Sequence, residues 1–202
     1  MADKPRMPLK LIVFTFAYIA ASCVSALFEG NKEFAFYIFV MAVLIAATWT
    51  VHRRVGLSTP LLWLLSFWGL LHMVGGLVQI PASWPYEGSH AVFYSLWIVP
   101  DLLKYDQITH AYGFGITTWL CWEVLSKGLS TRYGHEIVPT TGVVVICAAA
   151  GMGFGALNEV IEFAATQLFE NTNVGGYVNT SWDLVFNGFG AFAAAVVIRL
   201  RG

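Results

Sequence analysis

Six stretches of this chain, near 9–28, 34–51, 60–80, 106–126, 139–169 and 181–200, stay apolar over lengths suited to one membrane crossing each. A hydrocarbon core roughly 30 Å thick needs about 17–25 residues of helix, because the backbone must satisfy its own hydrogen bonds there. The pattern predicts an all-α, polytopic membrane helix bundle of six transmembrane helices, one integral membrane domain over 1–202. Composition agrees: 57% of residues are hydrophobic, 11% are charged and mean hydropathy is +0.67. Pro8, Pro60 and Pro139 stand at the starts of three stretches, where a missing N–H costs little. The fifth stretch is overlong and is expected to tilt or to extend past the bilayer. The first follows Lys4, Arg6 and Lys10, as a secretory signal would, but its apolar run is too long and no clean cleavage site follows, so a retained helix is expected.

Basic residues resist translocation, and counting them loop by loop orients the chain. With both termini cytoplasmic, Lys4, Arg6, Lys10, Arg53, Arg54, Lys127, Arg132, Arg199 and Arg201 lie inside, against Lys32 and Lys104 outside. A net charge of −1 offers no basic surface for nucleic acid. Cys23, Cys121 and Cys147 are isolated in apolar stretches and read as packing residues, neither a disulfide frame nor a thiolate site.

Against this background Asp106, Glu159, Glu162 and Asp183 are out of place, as are His72, His110, Asn158 and Asn187. An ionisable group at membrane depth costs roughly 2.5–3.5 kcal/mol on insertion scales, so several together demand a task or a shared counter-ion. The orientation sets their depths. Asp106 falls at the outer end of the fourth helix with His110 one turn below; Asp183 and Asn187 repeat that spacing in the sixth; Glu159 and Glu162 lie in the last turns of the fifth; His72 is about 12 Å below the end of the third. All converge on the outer leaflet. Gly113, Gly155 and Gly190 share the faces of these polar residues and would let helices three to six approach closely, leaving helices one and two peripheral.

The runs YDQITHAYGFG (105–115), LNEVIEFAA (157–165), NTSWDLVFNGFGA (179–191) and LHMVGG (71–76) resemble the YjdF-like family of bacterial inner-membrane proteins over about the last two thirds of the chain. The order of an Asp-x-x-x-His helix, a Glu-bearing helix and an Asp-x-x-x-Asn-x-x-Gly helix is more loosely similar to the VanZ-like membrane proteins linked to glycopeptide resistance. The first resemblance implies a multi-pass protein of the bacterial inner membrane.

Four carboxylates held together in low dielectric need shared protons, cations or a metal, and the apolar segments carry no Lys or Arg near them. A divalent transition metal (zinc, manganese or iron) is the simplest neutraliser, with His72, His110, Asp106, Glu159, Glu162 and Asp183 as candidate ligands and Asn158 and Asn187 in support. His110, Asp106 and Glu159 are the candidate catalytic groups of an enzyme acting on a membrane lipid or lipid-linked substrate at the outer leaflet. An ion- or proton-coupled transporter and a non-catalytic lipid-binding or accessory subunit stay open.

Several of these residues have plainer readings. Asp106 and Asp183 can cap helices, with Thr180 and Ser181 as rival caps; His72 and His110 can be hydrogen-bonded packing residues; Asn158 and Asn187 can join helices. Glu123 with Lys127 at i+4 is an ordinary ion pair. Gly151, Gly153 and Gly155 imitate a nucleotide loop, but they follow no strand and read as helix packing. The aromatic outer loop 81–105 is an interfacial anchor or partial lid, and Asn179-Thr180-Ser181 fits a glycosylation acceptor.

Overall fold

The computed structural model describes residues 5–202; Lys4, part of the orientation count, lies outside the described residues. Six long helices carry the fold: α1 (Leu9–Glu29), α2 (Lys32–Val55), α3 (Thr59–Leu77), α4 (Tyr105–Tyr133), α5 (Thr141–Leu168) and α6 (Tyr177–Arg201). Their ends follow local chemistry. The side chains of Asn31, Ser58 and Thr140 accept the first free N–H groups of α2, α3 and α5, and Gly30, Gly56 and Gly134 close α1, α2 and α4 in the left-handed conformation.

Five of the six, all but α4, are long and apolar enough to cross a membrane. The polar residues that dilute α4 have a structural reason: it is the central helix, packed most extensively on α6 and also on α5 and α3. Gln107, Thr109, His110, Thr117, Thr118 and Glu123 are buried within protein, where lipid never meets them. Outward faces carry exposed Phe16, Phe28, Phe39, Phe67, Phe154 and Phe192, the inside-out pattern of a bundle solvated by lipid. The packing seams use small residues. A Cβ at Gly190 would lie 1.9 Å from the Ala111 carbonyl oxygen, and one at Gly151 would lie 2.1 Å from Thr118 Oγ1.

Two expectations change. Helix α2 was expected at the periphery, and most of it is; among its described residues, however, Glu33 and Phe34 are buried at the end nearest the polar cluster. The outer loop is also more ordered than an interfacial anchor requires. It forms a 3-10 turn (Phe93–Ser95) and a short antiparallel hairpin of β1 (Trp97–Val99) and β2 (Leu103–Lys104), with Trp97 opposite Lys104. The Tyr94 ring lies on α3, where a Cβ at Gly75 would come within 2.6 Å of it.

At the opposite end Glu123 does more than pair with Lys127. Its Oε2 accepts from Lys127 Nζ at 2.7 Å and from the Ser58 N–H at 2.8 Å, its Oε1 accepts from the Ser58 hydroxyl, and Lys127 Nζ also donates to the Gly56 carbonyl at 2.7 Å. One carboxylate therefore fastens α4 to the turn between α2 and α3. Glu123→Ala is expected to lower the free energy of unfolding by about 2–3 kcal/mol, since it strands a partly buried ammonium and two donors. Denaturant titration in detergent measures this, and a loss below about 0.5 kcal/mol would contradict it.

Candidate metal centre

The polar residues meet at one end of the bundle because four helices begin or end there. Lys104 is the N-cap of α4, and its N–H bonds to Gln107 Oε1 at 3.0 Å, fixing the first turn. Asp106 follows in that turn, and His110 stands one turn later on the same face, its Nε2 3.5 Å from Asp106 Oδ1. Helix α6 contributes Asn179, Asp183 and Asn187 at successive steps of four, again on one face. Asn179 Nδ2 donates to Asp183 Oδ2 at 2.6 Å and reaches Asp106 Oδ2 at 3.5 Å, while Asn187 Oδ1 is 3.0 Å from His110 Nδ1. Helix α5 contributes Glu159, whose Oε1 is 3.7 Å from His110 Nδ1, and Glu162, which accepts from Asn158 Nδ2 at 2.7 Å.

His110 is the common member of two groups whose ligand atoms lie within 4.8 Å of one another: Asp106, His110 and Asp183, and His110, Glu159 and Glu162. His110, Asp183 and Asn187 are at most 2% exposed. Both oxygens of Glu159, Oδ1 of Asp183 and Nδ2 of Asn187 are buried without a hydrogen-bond partner. An orphaned buried group costs about 1–3 kcal/mol, more when charged.

His72 is close by but is not in either group. Its Nδ1 pairs with the Tyr94 hydroxyl and its ring packs on Trp68, with centroids 5.2 Å apart. Burial, reinforced by nearby carboxylates, pushes the Tyr94 phenol well above its ordinary value, so it stays protonated. His72 lines a cavity of about 100 Å³ shared with Asp106, Glu162, Asn158 and Asn179. Asp106 and Glu162 thus join that cavity to the cluster.

The capping readings of Asp106 and Asp183 fail: Lys104 and Gly176 are the N-caps, and Asp183 lies beyond the first turn of α6, as do the rivals Thr180 and Ser181 beyond its N-cap. Asn179 spends its side chain on Asp183 and Lys104. The apolar segments carry no basic residue near the acids, but one stands just outside them. Lys104 is buried, and its Nζ donates to Asn179 Oδ1 at 3.2 Å while pairing with Glu87 at 2.9 Å and lying 4.8 Å above the Trp97 ring. It reaches the acids through Asn179, at the rim. Sequence reasoning passed over Asn179 and Lys104, although Asn179 precedes Asp183 by one turn and Lys104 precedes Asp106 by two residues.

A family model described as "Predicted membrane protein (DUF2238)" matches residues 10–201. A protein of Thermotoga maritima described as "Uncharacterized protein" is 27% identical over 95 residues, which is 46% of this chain and 47% of that relative, so the chain spans about half the length of the curated relative it matches. No solved structure matches the chain. The family match is consistent with the YjdF-like resemblance and gives no support to the VanZ-like one.

Proposed function

We propose, for a chain that belongs to the DUF2238 family of predicted membrane proteins, that His110, Asp106 and Asp183 hold one divalent transition metal for chemistry on a lipid or lipid-linked substrate. The observation that carries this reading is the set of buried, partnerless carboxylate oxygens gathered around a single imidazole. Asn187 Oδ1 can only accept, so His110 Nδ1 carries a proton, and in the neutral imidazole Nε2 keeps its lone pair beside Asp106. That is the tautomer a ligating histidine needs, and Asn187 is the group that orients the ring, with Glu159 Oε1 3.7 Å from Nδ1 and outside hydrogen-bond reach. Glu162, held by Asn158, stands ready as a fourth oxygen donor or as a second orienting group. A mixed nitrogen and oxygen set of this kind suits zinc, manganese or iron. Such an ion would polarise a phosphoryl or carbonyl oxygen as a Lewis acid.

The outer-leaflet assignment rests on six crossings with both termini in the cytoplasm. It is supported by Arg53, Arg54, Lys127, Arg132, Arg199 and Arg201, which fall toward the helix ends opposite the cluster. Transport fits less well, because the Thr117 and Thr118 hydroxyls midway along α4 bond to carbonyls of their own helix and offer no relay.

Elemental analysis of the purified wild type is expected to find about one equivalent of transition metal, falling at least about tenfold in His110→Ala, as loss of a ligand requires. Equal, negligible metal in both proteins, each shown folded by circular dichroism, would overturn the reading.

A further inference from the structure

Two cavities meet at Glu33. The inner one, about 100 Å³, lies beside the cluster and is lined by Asp106, Asn158, Glu162 and Asn179 as well as by Glu33. The outer one, about 1020 Å³, lies among the turns at that end of the bundle, where Glu29, Gln79, His90, Glu170 and Asn171 are exposed along its border. Glu33, Phe34 and Asn173 border both spaces, and the Asn173 N–H donates to both Glu33 oxygens at 3.2 and 3.1 Å. A buried carboxylate and one backbone amide, beside one aromatic ring, therefore part the cluster's cavity from the open one.

About 100 Å³ is the liquid volume of roughly three waters. Cavities of that size stay dry when their walls are apolar, but three carboxyl groups and two carboxamides here give a water the partners it needs. The Tyr37 hydroxyl and the Trp68 indole N–H are buried without a partner, and both side chains line this space. A donor so placed is costly unless water accepts from it. We infer that the inner cavity is a water site whose waters join Asp106 and Glu162 to the outer cavity past Glu33 and Asn173. Water and protons reach the cluster by this route from the near end of the bundle. The route stops there, since the Thr117 and Thr118 hydroxyls further along α4 bond to carbonyls of their own helix. The inference does not depend on the metal reading: carboxylates relieved by shared protons need such a route as much as a bound ion does.

The test is X-ray radiolysis of the whole chain in nanodiscs, which makes hydroxyl radicals from water lying against a side chain, with mass-spectrometric mapping of the oxidised residues. Met73 lines the inner cavity and is 3% exposed, while Cys147, 2% exposed and no less reactive toward the radical, borders neither cavity. Met73 and Tyr37 are expected to be labelled several times faster than Cys147, and equal rates would overturn the water site. After rapid mixing into heavy-oxygen water, Glu33→Ala is expected to take up label at Met73 several times faster than the wild type, because it removes the partition. An unchanged rate would overturn the entry past Glu33. Tyr37→Phe supplies an independent sign: if water serves the hydroxyl, the unfolding temperature of the variant falls by about 2–4 °C, whereas deleting a dry, unpaired donor raises it. A rise, or no change, would overturn the inference.

Discussion

Gly190→Val is expected to abolish the native bundle, or at the least to cost about 3 kcal/mol of stability. The obstacle is backbone. A Cβ at position 190 would stand 1.9 Å from the Ala111 oxygen and 2.7 Å from its carbonyl carbon, and one at Gly115 would stand 3.0 Å from the Gly190 oxygen. Helices α4 and α6 can therefore make room only by separating along their most extensive contact. Ala111 follows His110 directly, and Gly190 is three residues beyond Asn187, so separation also breaks the bond between His110 and Asn187. Gly153→Val is the control: nothing lies within 4 Å of a Cβ there, and a change within about 0.5 kcal/mol is expected. Unfolding followed in detergent by circular dichroism compares the two, and similar losses in both would show that the seam is less tight than its geometry requires.

Removing metal should have a comparably large effect. An ion that binds the folded state at a thousand times its dissociation constant stabilises by about 4 kcal/mol, so stripping the wild type with a strong chelator is expected to lower the unfolding temperature by several degrees. Restoring zinc, manganese or iron should recover it. Asp183→Asn removes a proposed ligand oxygen while keeping the shape of a side chain whose Oδ1 is buried without a partner. Its unfolding temperature is expected to be indifferent to the chelator. If the wild type too is indifferent, the cluster is relieved by shared protons and the proposed ion has no part in stability.

The helices were legible in the sequence because the membrane imposes a length and a polarity on each of them, and the expected boundaries fall within four residues of those observed except at the end of α4, which runs seven residues further, to Tyr133. The candidate ligands were legible for the converse reason: a carboxylate inside an apolar run has few acceptable surroundings, and spacings of four put Asp106 with His110, and Asp183 with Asn187, on common faces. What remained hidden was cross-chain. Glu33 looks like an ordinary acid in the first turn of α2 until Asn173, 140 residues away, turns its backbone N–H toward both carboxylate oxygens. Tyr94 looks like one more interfacial aromatic until its hydroxyl meets His72. Lys104 counts as a loop cation until Asn179 carries its hydrogen bond toward the acids.

Hydrophobic periodicity and the scarcity of charge are local properties, so the sequence by itself determined that this is a helical membrane protein, where its helices run and which residues are too polar for lipid. Which of those residues meet was decided by the close approach of α4 to α6 and α5. Helix packing is a question of shape, answered at Gly190, Gly151 and Gly155 by approaches close enough for His110 to be shared among four acids. No count of residues along one strand of sequence contains that distance.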